Sequence, residues 1–395
     1  MTHPSFRTAP RRRGLGAALA WITVASSSCT LASGGTPPEE FDPVVETADA
    51  TLLFPLPSRV DAGLLRADDV GRHGPLIPPS VIGQPLDNLD ALRVNTEADL
   101  RLVGLRLDPC SARAGCSPEV RAVFQPLLEL DQPTPGVHAA DAAVHVFYDV
   151  PLDELVALQR DLLVLKTQHG AGADYTQPLG VHPVLAAQGL DGPFAQGLRP
   201  LLLDALGADR IARVTVFTHE FPDSDAWTFH LFERGPAGLS AAPIAGHAQA
   251  TQSVFGSDPL ATALGGLDEA APPMTLASLA RLTSSGRAEA PGAALIAGLA
   301  EAVAVQDPAQ HDSESIDCVS CHAAEGGRAI ATDELGLTPV AEFSHPRDLA
   351  YQRPARAAAN LHAFSYLGRE VSVMRRTVHE AVLAAEQLQA LLRGR

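Results

Sequence analysis

Residues 212–234 read ARVTVFTHEFPDSDAWTFHLFER. Two runs rich in Val, Thr, Phe and Trp flank a polar break, Pro222 to Asp225. Branched and aromatic side chains suit a pleated surface, and the Pro-Asp-Ser-Asp break suits a turn. The stretch predicts a β-hairpin. With a four-residue turn, His219 and His230 share one face of it.

Working outward, three earlier runs have the same character. They are LRLVGLRLD (100–108), VRAVFQPLLEL (120–130) and AAVHVFYDV (142–150). Between them and the hairpin lies PLDELVALQRDLLVLKTQHG. Pro151 opens it, and Leu152, Leu155, Val156, Leu158, Leu162, Leu163 and Leu165 recur at near-helical spacing before Gly170. A second helix fits 193–207, ended by Gly207. Strand, helix, helix, strand, strand is an α+β order, a sheet with packed helices. The prolines of LLFPLP and GPLIPPS, within 50–90, predict irregular structure there.

Downstream the composition changes. Residues 236–272 are rich in Gly, Pro and Ala and read as a linker. Residues 273–395 read as mainly helical, through PMTLASLARL, GAALIAGLAEAVAV and TVHEAVLAAEQLQALLRG. In the last segment Thr377 and Glu380 have capping-box spacing. Val378, Val382, Ala385, Leu388 and Leu392 form its apolar face, and His379 falls off that face. The expected organisation is a leader (1–28), a tether (29–49), an α+β domain (50–235), the linker, and a helical C-terminal region (273–395).

The leader has three parts. MTHPSFRTAPRRR carries Arg7, Arg11, Arg12 and Arg13, and GLGAALAWITVASSSC follows as an apolar run ending in small residues. That is the layout of an export signal, and the apolar run is short for a membrane span. Ending on Cys29, it resembles a bacterial lipoprotein signal, in which the cysteine is acylated, although Ser26 stands where leucine is usual. The resemblance implies a membrane contact through lipid at Cys29 and a periplasmic or outer-membrane location. The following TLASGGTPPEEFDP has the composition of a flexible tether.

The chain has 395 residues and a formal charge of −17. Loss of the four leader arginines makes it −21. Such an acidic chain disfavours nucleic acid and anionic lipid as partners and suits a redox partner protein with a basic docking surface. Five cysteines are present. Cys110 and Cys116, six apart in a polar Gly-containing loop, are placed to meet in a disulfide. The other two are in IDCVSCHAAEGG (316–327), as C-x-x-C-H: Cys318, Cys321 and His322.

This spacing is a haem-attachment signal. The region resembles the attachment site of c-type cytochromes. The resemblance implies one covalent haem c, with Cys318 and Cys321 as thioethers and His322 as proximal iron ligand. It also implies a cytochrome-like helical C-terminal fold. The distal position has three candidates: Met374, which precedes the last helix, and His345 and His362. Arg375 and Arg376 could meet the haem propionates. Structural zinc needs a second ligand pair, and a redox dithiol needs a βαβ setting; neither is apparent. Electron transfer is the expected role. Its rivals are an enzyme whose active site lies in the α+β region, and a surface lipoprotein with a binding or structural task.

Overall fold

The computed structural model describes residues 44–79, 100–110, 116–131, 135–219, 226–256, 265–312, 314–339, 342–347, 351 and 360–394. The leader and Cys29 lie outside the described residues, as does all but the end of the tether. The hairpin strands are present as β8 (Ile211–His219) and β9 (Ala226–Gly235). They sit inside a ten-stranded sheet with the order β1-β4-β5-β7-β8-β9-β11-β12, to which β6 adds at β5 and β10 at β9. The remaining strands are β1 (Thr51–Leu53), β4 (Leu100–Asp108), β5 (Glu119–Leu130), β6 (Gly136–Ala139), β7 (Ala142–Asp149), β10 (Gly238–Ala241), β11 (Thr251–Gly256) and β12 (Leu267–Ala271). Every pairing in it is antiparallel.

At its β4 strand the sheet is buried on both faces. All nine residues of β4 are buried, including Arg101, Arg106 and Asp108. On one face the Pro-rich N-terminal segment is tied down through backbone bonds and the hydroxyl of Tyr148, which donates to the Leu76 carbonyl at 2.8 Å. That segment holds α1 (Thr47–Ala50) and the short pair β2 (Val70–Gly71) and β3 (Gly74–Pro75). The expected helices appear as α2 (Leu152–His169) and α4 (Pro193–Ala205), with a short α3 (Pro183–Gln188) between them.

The C-terminal expectation is overturned. Residues 236–272 are not a linker: β10, β11 and β12 lie there, and β11 pairs with both β9 and β12. Residues 273–395 are not a separate cytochrome-like helical region. They supply α5 (Ala277–Thr283), α6 (Gly292–Val305), α7 (Cys318–Ala329) and α8 (Arg375–Arg393), broken by a hairpin of β13 (Phe364–Leu367) and β14 (Glu370–Val373). The described residues belong to one compact unit. The physical reason is the unpaired edge of β9. Left bare it would expose a row of backbone donors and acceptors, and β11 satisfies them.

The α8 N-terminus also differs. The helix begins at Arg375 with Met374 as N-cap, so Thr377 and Glu380 form no capping box. Thr377 Oγ1 donates instead to the Ala363 carbonyl at 2.9 Å. The apolar face is buried as expected, but so is His379, beside Phe343 and with Nδ1 2.7 Å from the Gln306 carbonyl. Cys110 and Cys116 are disulfide-bonded. Among the described residues no helix is long and apolar enough to cross a membrane.

Candidate functional site

The C-x-x-C-H motif opens α7, and one buried carboxylate fixes it there. Asp317 is the N-cap: its Oδ1 accepts from the Ser320 N–H at 2.9 Å and from Gln252 Nε2 at 2.8 Å. Its Oδ2 accepts from the Thr275 N–H at 2.9 Å and from the Thr275 hydroxyl. Gln252 Oε1 in turn accepts from the Val319 N–H at 3.0 Å. Burial alone would raise the Asp317 carboxyl; its donors, Ser320 and Thr275, outweigh that and hold it below the ordinary range. The motif is thus bolted to β11 and to the segment before α5. Gly327 lets α7 lie on α5, since a Cβ there would come 2.5 Å from Leu279 Cδ1.

Asp317→Ala removes a helix cap and strands buried donors. The expected cost is about 3 kcal/mol, roughly 1 for the cap and 2 for the orphaned groups. Urea unfolding of the variant measures it, and Asp317→Asn recovers part because its side-chain oxygen still accepts. A loss below about 1 kcal/mol would contradict the bolted arrangement.

Helical spacing then divides α7. Val319, Ser320, Ala323 and Ala324 are buried, while Cys318, Cys321 and His322 share a partly open side. That side faces a cavity of about 160 Å³. The sheet forms the opposite wall. Register aligns Val123 of β5, His145 of β7 and Thr215 of β8 in one row, with Ala143, Phe217 and Phe229 in the next. Met374, Phe364, Arg106, Arg121, Arg376 and Glu380 complete much of the lining.

His322 is held by its Nδ1, which donates to the Leu361 carbonyl. This fixes the tautomer and leaves Nε2 as the nitrogen with a free lone pair. Burial pushes its pKa down to about 4. Burial likewise pushes His145 down to about 3, so both rings are neutral near pH 7. Cys318 and Cys321 are free thiols, and burial pushes Cys318 up to about 12 and Cys321 upward as well. A reactive dithiol needs a stabilised thiolate, so these surroundings oppose that chemistry. Among the described residues no group of three His, Cys, Asp or Glu is placed to hold a metal ion by itself.

At one end of the cavity lies a charged cluster. Glu380 accepts from Arg106 Nη1 and, at 3.0 Å, from Arg376 Nη2, and lies 3.7 Å from Arg121 Nη1. Asp108 is 3.3 Å from both Arg106 and Arg121. Burial would raise the Glu380 carboxyl, but Arg106, Arg376 and Arg121 hold it well below the carboxylate range.

No family model, curated protein or solved structure matches this chain. The geometry therefore stands by itself. It brings together Cys318, Cys321, His322, Met374 and Arg376. It does not bring in the other candidates. His345 Nε2 lies 3.0 Å from Glu386, and its Nδ1 accepts from the Arg347 N–H at 3.1 Å. His362 Nε2 lies 2.9 Å from Asp141, and its Nδ1 lies 2.9 Å from the Ser365 hydroxyl. Neither histidine has a ring nitrogen left for iron. Ser365, His362 and Asp141 resemble a hydrolase triad, but Ser365 and His362 are each 1% exposed, so no substrate reaches them. Arg375 pairs with Glu342 and stands over the Tyr351 ring instead of lining the cavity.

The hairpin histidines are separated as well. His219 pairs with Trp227 and His230 with Val216, which places them on opposite faces of the sheet. His145, Arg106, Arg121 and Glu380 are among the cavity residues that the sequence did not nominate. Strand alternation in AAVHVFYDV was the available signal: it puts Ala143, His145 and Phe147 on one face.

Proposed function

We propose that this chain is an exported monohaem c-type protein that transfers electrons. One observation carries the reading: the open side of α7 turns Cys318, Cys321 and His322 together into a single cavity with metal-capable side chains on more than one wall. The residues present fit the group. The two thiols would each add to a vinyl substituent, the sulfur bonding one carbon and the proton going to the other, which needs no oxidant. Their raised pKa values do not oppose this, because both enter as protonated thiols. His322 would ligate iron through Nε2, with Leu361 as the outer partner that orients its ring. Arg106, Arg121 and Arg376 would meet the carboxylate substituents. Bound there, haem supplies a one-electron couple at its iron.

The chain's own contribution is to hold and shield. Phe217 and Phe229 place rings 6.3 and 5.1 Å from the His322 ring and keep water off that side. The leader supports attachment outside the cytoplasm, and the lipid at Cys29 would keep the protein near a membrane-bound donor or acceptor. The acidic charge of −17 suits a partner with a basic docking face.

The test is a pyridine-haemochrome spectrum of the denatured full-length protein, exported in a host able to attach haem c. The expected result is the c-type spectrum with both vinyl groups saturated. In Cys321→Ala the band should shift to that of one remaining vinyl group, or disappear. An identical spectrum in the variant, or no haem in the wild type, would end this reading.

A further inference from the structure

We propose that His145 supplies the second axial ligand of the iron, opposite His322; this rests on the haem reading above. The two are the histidines that line the cavity among the described residues, and they rise from opposed walls. His322 sits on the open side of α7. His145 stands near the centre of the sheet, paired with Val123 on one side and Thr215 on the other. Their ring centroids are 6.1 Å apart. A metal–imidazole bond is about 2 Å, and the nitrogen lies about 1 Å from its ring centre, so two imidazoles across one metal ion have centroids about 6 Å apart. The observed spacing meets that requirement.

The side chain is also unspent. No hydrogen bond to either ring nitrogen of His145 is present among the described residues, and its contacts are with cavity-lining groups such as the His322 ring. The ring is half-buried and faces the cavity. His362 and His345, by contrast, spend both nitrogens on protein partners.

Met374 lines the same cavity from the N-cap of α8, where its N–H donates to the Ala363 carbonyl at 2.9 Å. It is the competing ligand that the experiment below separates from His145. An axial pair has to approach the iron from opposite faces of the ring. The sheet floor is opposite α7, and His145 is the imidazole on it. A bis-histidine iron has no open position, which agrees with transfer of electrons in place of substrate chemistry.

The experiment uses the full-length holoprotein, with covalent haem first verified on denatured wild type. Ferric absorption and electron paramagnetic resonance spectra are then compared for wild type, His145→Ala, His145→Met and Met374→Leu. The wild type should be low-spin without a methionine–iron charge-transfer band. His145→Ala should become high-spin, and added imidazole should restore the low-spin spectrum. His145→Met should gain the methionine band, and Met374→Leu should leave the wild-type spectrum unchanged. A high-spin wild type, a methionine band lost in Met374→Leu, or a low-spin spectrum kept in both His145 variants would overturn the assignment while leaving the haem reading intact. Absence of covalent haem in the wild type would overturn both.

Discussion

Glu380→Leu is expected to destabilise the protein by about 3–5 kcal/mol, the cost of stripping the partner from a buried charge. Three guanidinium groups converge on this one carboxylate from β4, β5 and α8. Arg106 has side-chain exposure of 7% and Arg376 of 11%, so neither recovers the lost interaction from water. Leucine fills most of the volume, so packing loss is small and the penalty is electrostatic. Glu380→Gln keeps the shape and one acceptor and should fall between the two. Urea midpoints for the three proteins decide it. A Glu380→Leu loss below about 1 kcal/mol would show that the cluster acts like an ordinary surface pair.

The second large effect is a loss of stability in acid. Glu380, Asp141 and Asp317 all ionise more readily folded than unfolded. At Asp141, burial opposes this, and the His219 and His362 rings outweigh it from 3.2 and 2.9 Å. A carboxyl depressed in the fold binds fewer protons there than in the unfolded chain. Its contribution is therefore complete above the ordinary carboxyl range and is lost as pH falls from about 4 toward the folded value. Glu380 and Asp141 each contribute on the order of 2–3 kcal/mol, and Asp317 acts in the same direction. The urea midpoint should accordingly hold from about pH 7 to 5 as far as these carboxyls are concerned, then drop steeply below about pH 4. Asp141→Asn should lower the plateau and flatten the drop. A midpoint unchanged down to about pH 3 would contradict the shifts.

The large sheet was legible because its strands are unusually regular. Period-two alternation and branched residues marked β4, β5, β7, β8 and β9, and leucine spacing marked α2. What failed was everything depending on pairing between distant segments. TQSVFG and LDEAA lie among Gly and Ala residues, and nothing local says that β11 completes the edge of β9. FSYLGREVSV does alternate about Gly368, but ten residues between two helical stretches look like a connection. His219 and His230 needed a register that turn composition alone did not set. In the site, Cys318, Cys321 and His322 were readable as a group from their spacing alone. His145 was not, because its place across the cavity from them depends on which face of the sheet α7 covers. His379 was misplaced for a related reason: a helix can be buried on two sides when Gln306 and Phe343 close over the second.

All ten strands of the main sheet end by Ala271, before the first cysteine of the motif at Cys318. A chain made from its N-terminus therefore completes the whole floor of the cavity before Cys318 exists. Cys318 and Cys321 come later, on a helix whose cap, Asp317, closes on Gln252 and Thr275, two groups that precede it in the chain. Docking of α7 is then the step that shuts the cavity, and the Asp317 contacts join the wall made last to the floor made first.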